Sequence, residues 1–126
     1  MNDLMIENTK KTPRINFVKD GYLKITGRSI PEDPSKFYDS ILLWLQEYCK
    51  NPYNPTKIEI ELEYFNSGTS KYLLQMFKEL KIIKEQGKNL EIVWYYEAGD
   101  DDILERGEYY ASILDLEIKY VQVEYE

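Results

Sequence analysis

The chain has 126 residues, of which 43% are hydrophobic and 31% charged, values typical of one soluble globular domain and unlike a disordered chain. Its net charge of −7, without a basic cluster, argues against nucleic acid and anionic membranes as partners, because both need concentrated positive charge. The absence of histidine and the single cysteine, Cys49, exclude Ser-His and Cys-His nucleophiles, histidine- or thiolate-based metal sites and an internal disulfide.

The N-terminal residues 1–13 are polar and aperiodic, which predicts a flexible lead-in before one domain of residues 14–126. The lead-in does not resemble a secretory signal, and no apolar run approaches the ~20 residues that span a bilayer. Together with the lone cysteine, this indicates a cytoplasmic protein. The domain begins with two β-prone runs, Arg14–Val18 and Tyr22–Thr26, and the Asp-Gly pair at 20–21 between them is a hairpin signal.

The first predicted helix has a cap at Asp33 and a proline, Pro34, at its first position. One face of this helix repeats apolar residues at the 3.6-residue period: Phe37, Ile41, Trp44, Leu45 and Tyr48. The clearest strand covers residues 57–64, where apolar and acidic residues alternate. Its acidic face is either solvated or a docking surface for a basic partner, and carries Glu59, Glu61 and Glu63.

A second helix is predicted from about residue 69 to 86, with Gly87 just after its end. A strand over Leu90–Glu97, a helix over Asp100–Leu114 and a strand over Ile118–Tyr125 complete the chain. The order β-β-α-β-α-β-α-β predicts an α/β fold, a mostly parallel mixed sheet with right-handed crossovers and helices packed on it.

Open α/β sheets place their sites at the carboxyl ends of parallel strands, and there lies the turn Asn66-Ser67-Gly68-Thr69-Ser70-Lys71. The backbone N–H groups and the positive dipole at a helix start favour an anion. An ordinary cap also explains such residues, since Ser, Thr and Asn are preferred caps and Gly eases a tight turn. A cap needs one acceptor oxygen, whereas four side chains offer one: Asn66, Ser67, Thr69 and Ser70. The surplus hydroxyls suggest a group that accepts phosphate.

Three further candidates point to other chemistry. Asp100-Asp101-Asp102 with Glu105 offers the oxygen ligands of a Mg²⁺ or Ca²⁺ site, but the EF-hand spacing is absent, and acids in a first helical turn also complement the dipole. Ser67 and Lys71 are four residues apart, the spacing of a Ser-Lys dyad if the lysine were desolvated. Cys49 has no evident group to activate it. We predict no catalytic residue, no metal site and no cofactor.

The stretch Leu62–Lys71, together with Trp94–Glu97 and Asp100–Glu108, resembles the SiaC-type regulatory phosphoproteins, and the resemblance covers nearly the whole chain beyond residue 13. That family has a STAS-like fold, similar to bacterial anti-sigma-factor antagonists. The resemblance implies a non-enzymatic protein that acts by partner switching. A dedicated Ser/Thr kinase phosphorylates a threonine or serine in the turn 66–70, and a PP2C-type phosphatase removes the phosphate. Only one form engages a downstream effector, such as a diguanylate cyclase.

The resemblance also implies roles for individual residues. Thr69 matches the acceptor position of the family, with Ser70 and Ser67 as second choices. Gly68 stands where relatives often carry another hydroxyl, which makes the turn more flexible and leaves the register of the acceptor open to a neighbouring residue. The remaining residues of the turn are expected to contact partners: Asn66, Ser67, Gly68, Ser70 and Lys71.

Two other functions compete with this prediction. A small-ligand binding module would hold a nucleotide or a phosphorylated metabolite by backbone contacts at the helix N-terminus near Thr69. A hydrolase would use the carboxylates of Asp100–Glu105 with a metal. The lack of a Gly-rich phosphate loop and of histidine counts against both alternatives.

Overall fold

Strands and helices alternate along the chain in a computed structural model that describes residues 1–125. In chain order they are β1 (Leu4–Ile6), β2 (Arg14–Val18), β3 (Tyr22–Ser29), α1 (Pro34–Lys50), β4 (Thr56–Phe65), α2 (Ser67–Glu85), β5 (Leu90–Glu97), α3 (Asp101–Leu114) and β6 (Lys119–Val123). The predicted mixed α/β domain is confirmed. Among the described residues, no helix combines the length and apolar character needed to cross a bilayer.

The six strands form one sheet in which spatial order equals chain order. β1, β2 and β3 are antiparallel, whereas β3, β4, β5 and β6 are parallel. Every parallel pair is joined by a helix, and each crossover moves one strand along in the same direction. Right-handed crossovers therefore place all three helices on one face of the sheet, where α1 contacts α2 and α2 contacts α3. The carboxyl ends of β3, β4 and β5 meet at one edge, next to the starts of these helices.

The local signals in the sequence are largely confirmed. Asp33 caps α1 by accepting a hydrogen bond from the N–H of Lys36, and Pro34 is the first residue of the helix. The Asp-Gly hairpin joins β2 to β3, with Gly21 at a φ of +102°. Gly87, at a φ of +76°, follows the end of α2. On α2 the predicted inward residues are all buried: Leu73, Met76, Phe77, Leu80 and Ile83.

The N-terminal segment differs from the sequence prediction, because residues expected to lack regular structure form β1. Leu4 and Ile6 are half buried against the core. The Trp44 Nε1–H donates to the carbonyl of Asn2 at 2.8 Å, and the side chain of Asp3 accepts from the Lys19 N–H at 2.9 Å. The true order is therefore β-β-β-α-β-α-β-α-β. A polar, aperiodic segment forms a strand here because the edge of β2 supplies its backbone partners.

Helix faces and boundaries differ in smaller ways. On α1, Phe37 and Trp44 are only half buried, while the neighbouring Tyr38 and Cys49 are inside. Helix α2 begins at Ser67, two residues earlier than predicted, because the residue before it serves as the cap. Strand β6 is shorter at both ends than predicted. In α3, a Cβ at Gly107 would lie 2.8–2.9 Å from the Trp94 ring, so glycine permits the close packing of this helix on β5.

Candidate functional site

Three helix N-termini lie along the carboxyl edge of the parallel strands, which is where the sequence predicted a site. Their capping residues are Asp33 for α1, Asn66 for α2 and Asp100 for α3. Only Asn66 is uncharged, and the first turn of α2 contains no acid, whereas α3 carries two further aspartates there. In α2, therefore, neither the cap nor the first turn supplies a carboxylate to offset the positive end of the helix dipole.

Asn66 performs the capping of α2 by itself. Its Oδ1 accepts from the Thr69 N–H at 3.0 Å, and its backbone carbonyl accepts from the Ser70 N–H at 3.0 Å. Its Nδ2 donates to the Pro31 carbonyl at 3.3 Å, which connects the cap to the segment before α1. Within the described residues, the side chain of Asn66 is therefore the cap, and the hydroxyls of the turn do not serve as caps.

Thr69, the acceptor implied by the resemblance, is fully buried, with 0% of its surface exposed. Its Oγ1 donates to the Ser29 carbonyl at 3.0 Å and lies 2.8 Å from the Ser29 Oγ. The Ser29 Oγ is in turn hydrogen-bonded to the hydroxyl of Tyr38. Burial raises the pKa of Tyr38 to about 12, so its phenol keeps its proton for donation. The hydroxyl of Thr69 belongs to a buried polar cluster beneath the mouth of α2, a name we use for the cap and first turn of a helix (residues 66–70 in α2).

The other hydroxyls of the turn lie in different surroundings. Ser67, the first residue of α2, is exposed. Ser70 is half buried, and its Oγ lies 2.6 Å from the hydroxyl of Tyr110, which donates to the Ser70 carbonyl at 3.0 Å. The structure therefore separates three neighbouring hydroxyls into one that is exposed, one that is buried and one that is held by α3.

Gly68 is part of α2 rather than of a flexible loop. A Cβ at this position would lie 2.5 Å from the Pro34 Cγ, so glycine lets the starts of α1 and α2 touch. Lys71 is exposed and, within residues 1–125, forms no hydrogen bond with Ser67. The Ser-Lys dyad weighed from the sequence therefore lacks both the contact and the desolvated lysine that it needs.

Arg106 is a residue of this edge that the sequence analysis missed. Its guanidinium lies 4.8 Å from the centre of the Phe65 ring, donates to the Phe65 carbonyl at 3.4 Å and approaches Asp102 at 3.5 Å. With Ser70 and Tyr109 it lines an open depression of about 350 Å³ beside the mouth of α2. In the sequence, the i, i+4 spacing from Asp102 indicates an ion pair on one helix face, but it does not predict the contact with Phe65.

The acidic residues at the start of α3 act as a cap. Asp100 Oδ1 accepts from the Ile103 N–H at 3.1 Å, and Asp102 faces Arg106. Across the described residues, no three acidic or cysteine side chains are grouped closely enough to hold a metal ion. Cys49 is buried, and burial raises the pKa of its thiol to about 12, so the reactive thiolate is suppressed.

The glutamate row of β4 is not a uniformly solvated face. Glu59 is 7% exposed and accepts hydrogen bonds from the hydroxyls of Tyr22 and Tyr95 at 2.5 and 2.9 Å, with Lys24 and Lys57 each 3.8 Å away. Burial alone would raise the pKa of Glu59, but these hydrogen bonds and charges together hold it below its ordinary value. The prediction of a solvated or docking carboxylate is wrong for Glu59, which is satisfied within the sheet.

A family model described as SiaC family regulatory phosphoprotein matches residues 6–123. The chain belongs to the SiaC family. An uncharacterized protein of Pseudomonas aeruginosa strain UCBPP-PA14 is 24% identical to it over 109 residues, which is 86% of each chain. The family match extends along almost the whole chain, as the resemblance in the sequence predicted, and the family is one of regulatory phosphoproteins.

Solved structures of the family have the same fold. SiaC of Pseudomonas aeruginosa superposes with a TM-score of 0.83 at 21% identity, over 99% of this chain and 100% of that one. A chain in the crystal structure of the diguanylate cyclase SiaD in complex with its activator SiaC gives a TM-score of 0.85 at 21% identity, over 96% and 100%. The fold prediction is thereby confirmed, while the roles of the individual turn residues stay predictions.

Proposed function

We propose that this chain is a non-enzymatic, cytoplasmic switch protein, and that reversible phosphorylation at the mouth of α2 decides which partner it binds. A Ser/Thr kinase would add the phosphate and a PP2C-type phosphatase would remove it. The downstream partner would be an effector enzyme of the diguanylate cyclase class, as in the complex formed by the SiaC relative. The observation that carries the proposal is the exposed hydroxyl of Ser67. Among the helices of residues 1–125, it lies at the start of the one whose dipole is not offset by a capping carboxylate.

Ser67 is the acceptor that the geometry favours over Thr69. A kinase must bring the γ-phosphorus of ATP in line with a free hydroxyl oxygen, which requires an accessible side chain. Thr69 has no exposed surface, and its hydroxyl proton is already donated to Ser29. Ser70 is half buried and bonded to Tyr110. We therefore keep the turn predicted from the sequence and propose Ser67, rather than Thr69, as the acceptor within it.

A phosphate on Ser67 would be compatible with the fold. It adds a charge of roughly −2 and three acceptor oxygens at the first residue of a helix, where backbone N–H groups and the dipole offset the charge. The same group beneath a docked partner would be a buried, poorly paired anion. The fold survives while the interface is lost. A coupling free energy of ~3 kcal/mol, about a hundredfold in affinity, is enough to exchange partners.

The proposal is tested on protein purified from its own cells, by intact mass and by peptide fragmentation. We expect a single phosphate on Ser67 that is absent in Ser67→Ala and retained in Ser112→Ala, a control at an exposed helical serine of α3. In affinity purification, Ser67→Glu and Ser67→Ala should recover different proteins, with the effector bound to only one of them.

Three outcomes would count against the proposal. Phosphate found on Thr69 would overturn the choice of acceptor but leave the switch standing. A chain that is never phosphorylated within residues 66–70 in any growth condition would remove the switch itself. Identical partner sets for Ser67→Glu and Ser67→Ala would show that the charge of this residue does not control binding.

A further inference from the structure

The buried hydroxyls under the mouth of α2 form a series of hydrogen bonds in which the direction of every donation is fixed. Each hydroxyl has one proton to donate. Thr69 donates its proton to the Ser29 carbonyl, so the bond between the two side-chain oxygens uses the proton of Ser29. The Ser29 Oγ must then accept from Tyr38. The hydroxyl protons of Tyr38, Ser29 and Thr69 are therefore each donated to a neighbouring oxygen.

This chain of hydrogen bonds attaches the first turn of α2 to a rigid element. Ser29 is the last residue of β3, and it pairs with Phe65 of the neighbouring strand β4. Its carbonyl accepts from the Thr69 hydroxyl and also from the Asn66 N–H at 3.1 Å. The two attachment points, Asn66 and Thr69, lie on either side of Ser67. The position of the exposed serine is therefore set by β3 rather than by the helix alone.

We propose that Thr69 is a positioning residue for phosphorylation of Ser67, holding the acceptor in the geometry that the kinase needs. The inference rests on the proposed function, because it requires Ser67 to be the acceptor. In the reaction, the Ser67 oxygen bonds to the γ-phosphorus of ATP, ADP leaves, and the hydroxyl proton passes to a base of the kinase. A kinase binds the correctly placed conformer, so an acceptor that occupies it for a smaller fraction of the time is phosphorylated less efficiently.

The test compares variants that remove one hydroxyl each. Thr69→Val keeps the shape of the side chain but removes both bonds to Ser29, whereas Thr69→Ser restores them. Tyr38→Phe is the matched control, since it removes a buried hydroxyl of the same cluster and leaves the two bonds of Thr69 intact. Circular dichroism and thermal unfolding first establish that each variant is folded.

Phosphorylation is then measured with ATP and a clarified extract of the source cells, at varied concentrations of the purified chain. For Thr69→Val we expect an apparent Vmax/KM on Ser67 that falls by about tenfold, mainly through KM, with Thr69→Ser and Tyr38→Phe within about threefold of wild type. Amide hydrogen exchange gives a second readout that needs no kinase. The Ser70 N–H should exchange about tenfold faster in Thr69→Val and at the wild-type rate in Tyr38→Phe.

The outcomes separate this inference from the proposed function. Folded Thr69→Val that is phosphorylated on Ser67 as efficiently as wild type, with unchanged exchange at Ser70, overturns the positioning role and leaves the switch intact. Equal losses in Thr69→Val and Tyr38→Phe overturn it as well, because general destabilisation of the cluster would then explain both. No phosphate on the wild-type chain overturns the proposed function, and the inference with it, since no acceptor would exist to be positioned.

Discussion

The mouths of α2 and α3 have the same cap geometry but differ in charge. Each follows a parallel strand, and each cap accepts a hydrogen bond from the N–H three residues later, at 3.0 Å for Asn66 and 3.1 Å for Asp100. At α3, Asp101 and Asp102 add negative charge that complements the dipole. At α2 the cap is neutral, and hydroxyls are carried by Ser67, Thr69 and Ser70. Carboxylates therefore complement the dipole of α3, whereas the cap and first turn of α2 contain none.

The two helices also differ in what their glycines contact. Gly107, in the middle of α3, faces the rigid indole of Trp94 at 2.8–2.9 Å, whereas Gly68, at the start of α2, faces the Cγ of Pro34 at 2.5 Å. A proline Cγ can move by a change of ring pucker, but a buried indole held by its hydrogen bond to the Ile103 carbonyl cannot. The contact of Gly68 with Pro34 is therefore more adaptable than the contact of Gly107 with Trp94.

The largest effect is expected from substitutions of these glycines. Gly107→Ala should lower the free energy of unfolding by about 2 kcal/mol, because overpacking against Trp94 outweighs the gain in helix propensity. Gly68→Ala should stay within about 1 kcal/mol of wild type. Urea denaturation measures both. A loss in Gly68→Ala that equals or exceeds the loss in Gly107→Ala would contradict the difference in rigidity between these two glycine contacts.

An intermediate effect is expected from removing the caps. Asn66→Ala and Asp100→Ala should each cost about 1 kcal/mol of stability at low ionic strength. In 1 M NaCl the loss for Asp100→Ala should shrink by about 0.3–0.5 kcal/mol, because salt screens the attraction between its carboxylate and the dipole. The loss for Asn66→Ala should not change. Equal salt dependence of the two losses would remove the electrostatic distinction between α2 and α3.

The smallest effect is a difference in acid titration between charged and neutral caps. The hydrogen bond from the Ser35 hydroxyl, followed by that from the Lys36 N–H, holds the pKa of Asp33 below its ordinary value. A lowered native pKa means that the stabilisation by Asp33 is complete above the ordinary value near 3.8 and is lost as the pH falls through the native value.

Amide NMR between pH 5 and pH 2 distinguishes the caps directly. The Lys36 N–H, which bonds to Asp33, should shift in this range and stop shifting in Asp33→Asn. The Thr69 N–H, which bonds to the uncharged Asn66, should show no transition of its own. A matching transition at Thr69 would mean that a carboxylate acts at the α2 mouth after all.

Local signals in the sequence were sufficient for most elements of the fold. The Asp-Pro pair at 33–34, the Asp-Gly pair at 20–21 and Gly87 act through their own backbone, so they predict boundaries without knowledge of the tertiary structure. β1 could not be predicted in this way, because its three residues become a strand only beside β2. The packing role of Gly107 could not be predicted either, since its partner Trp94 lies on another element.

For the site, the sequence by itself determined the family, the strand-to-helix turn at residues 66–70 and the excess of hydroxyls over the needs of a cap. Only the tertiary structure decided which hydroxyl is free. Thr69 is buried because Ser29, 40 residues earlier, and Tyr38 on α1 lie beneath it. Burial depends on contacts between distant parts of the chain, and the spacing of neighbouring residues carries no information about them. Ser67, two residues before Thr69 and on the outer side of the same turn, is left exposed.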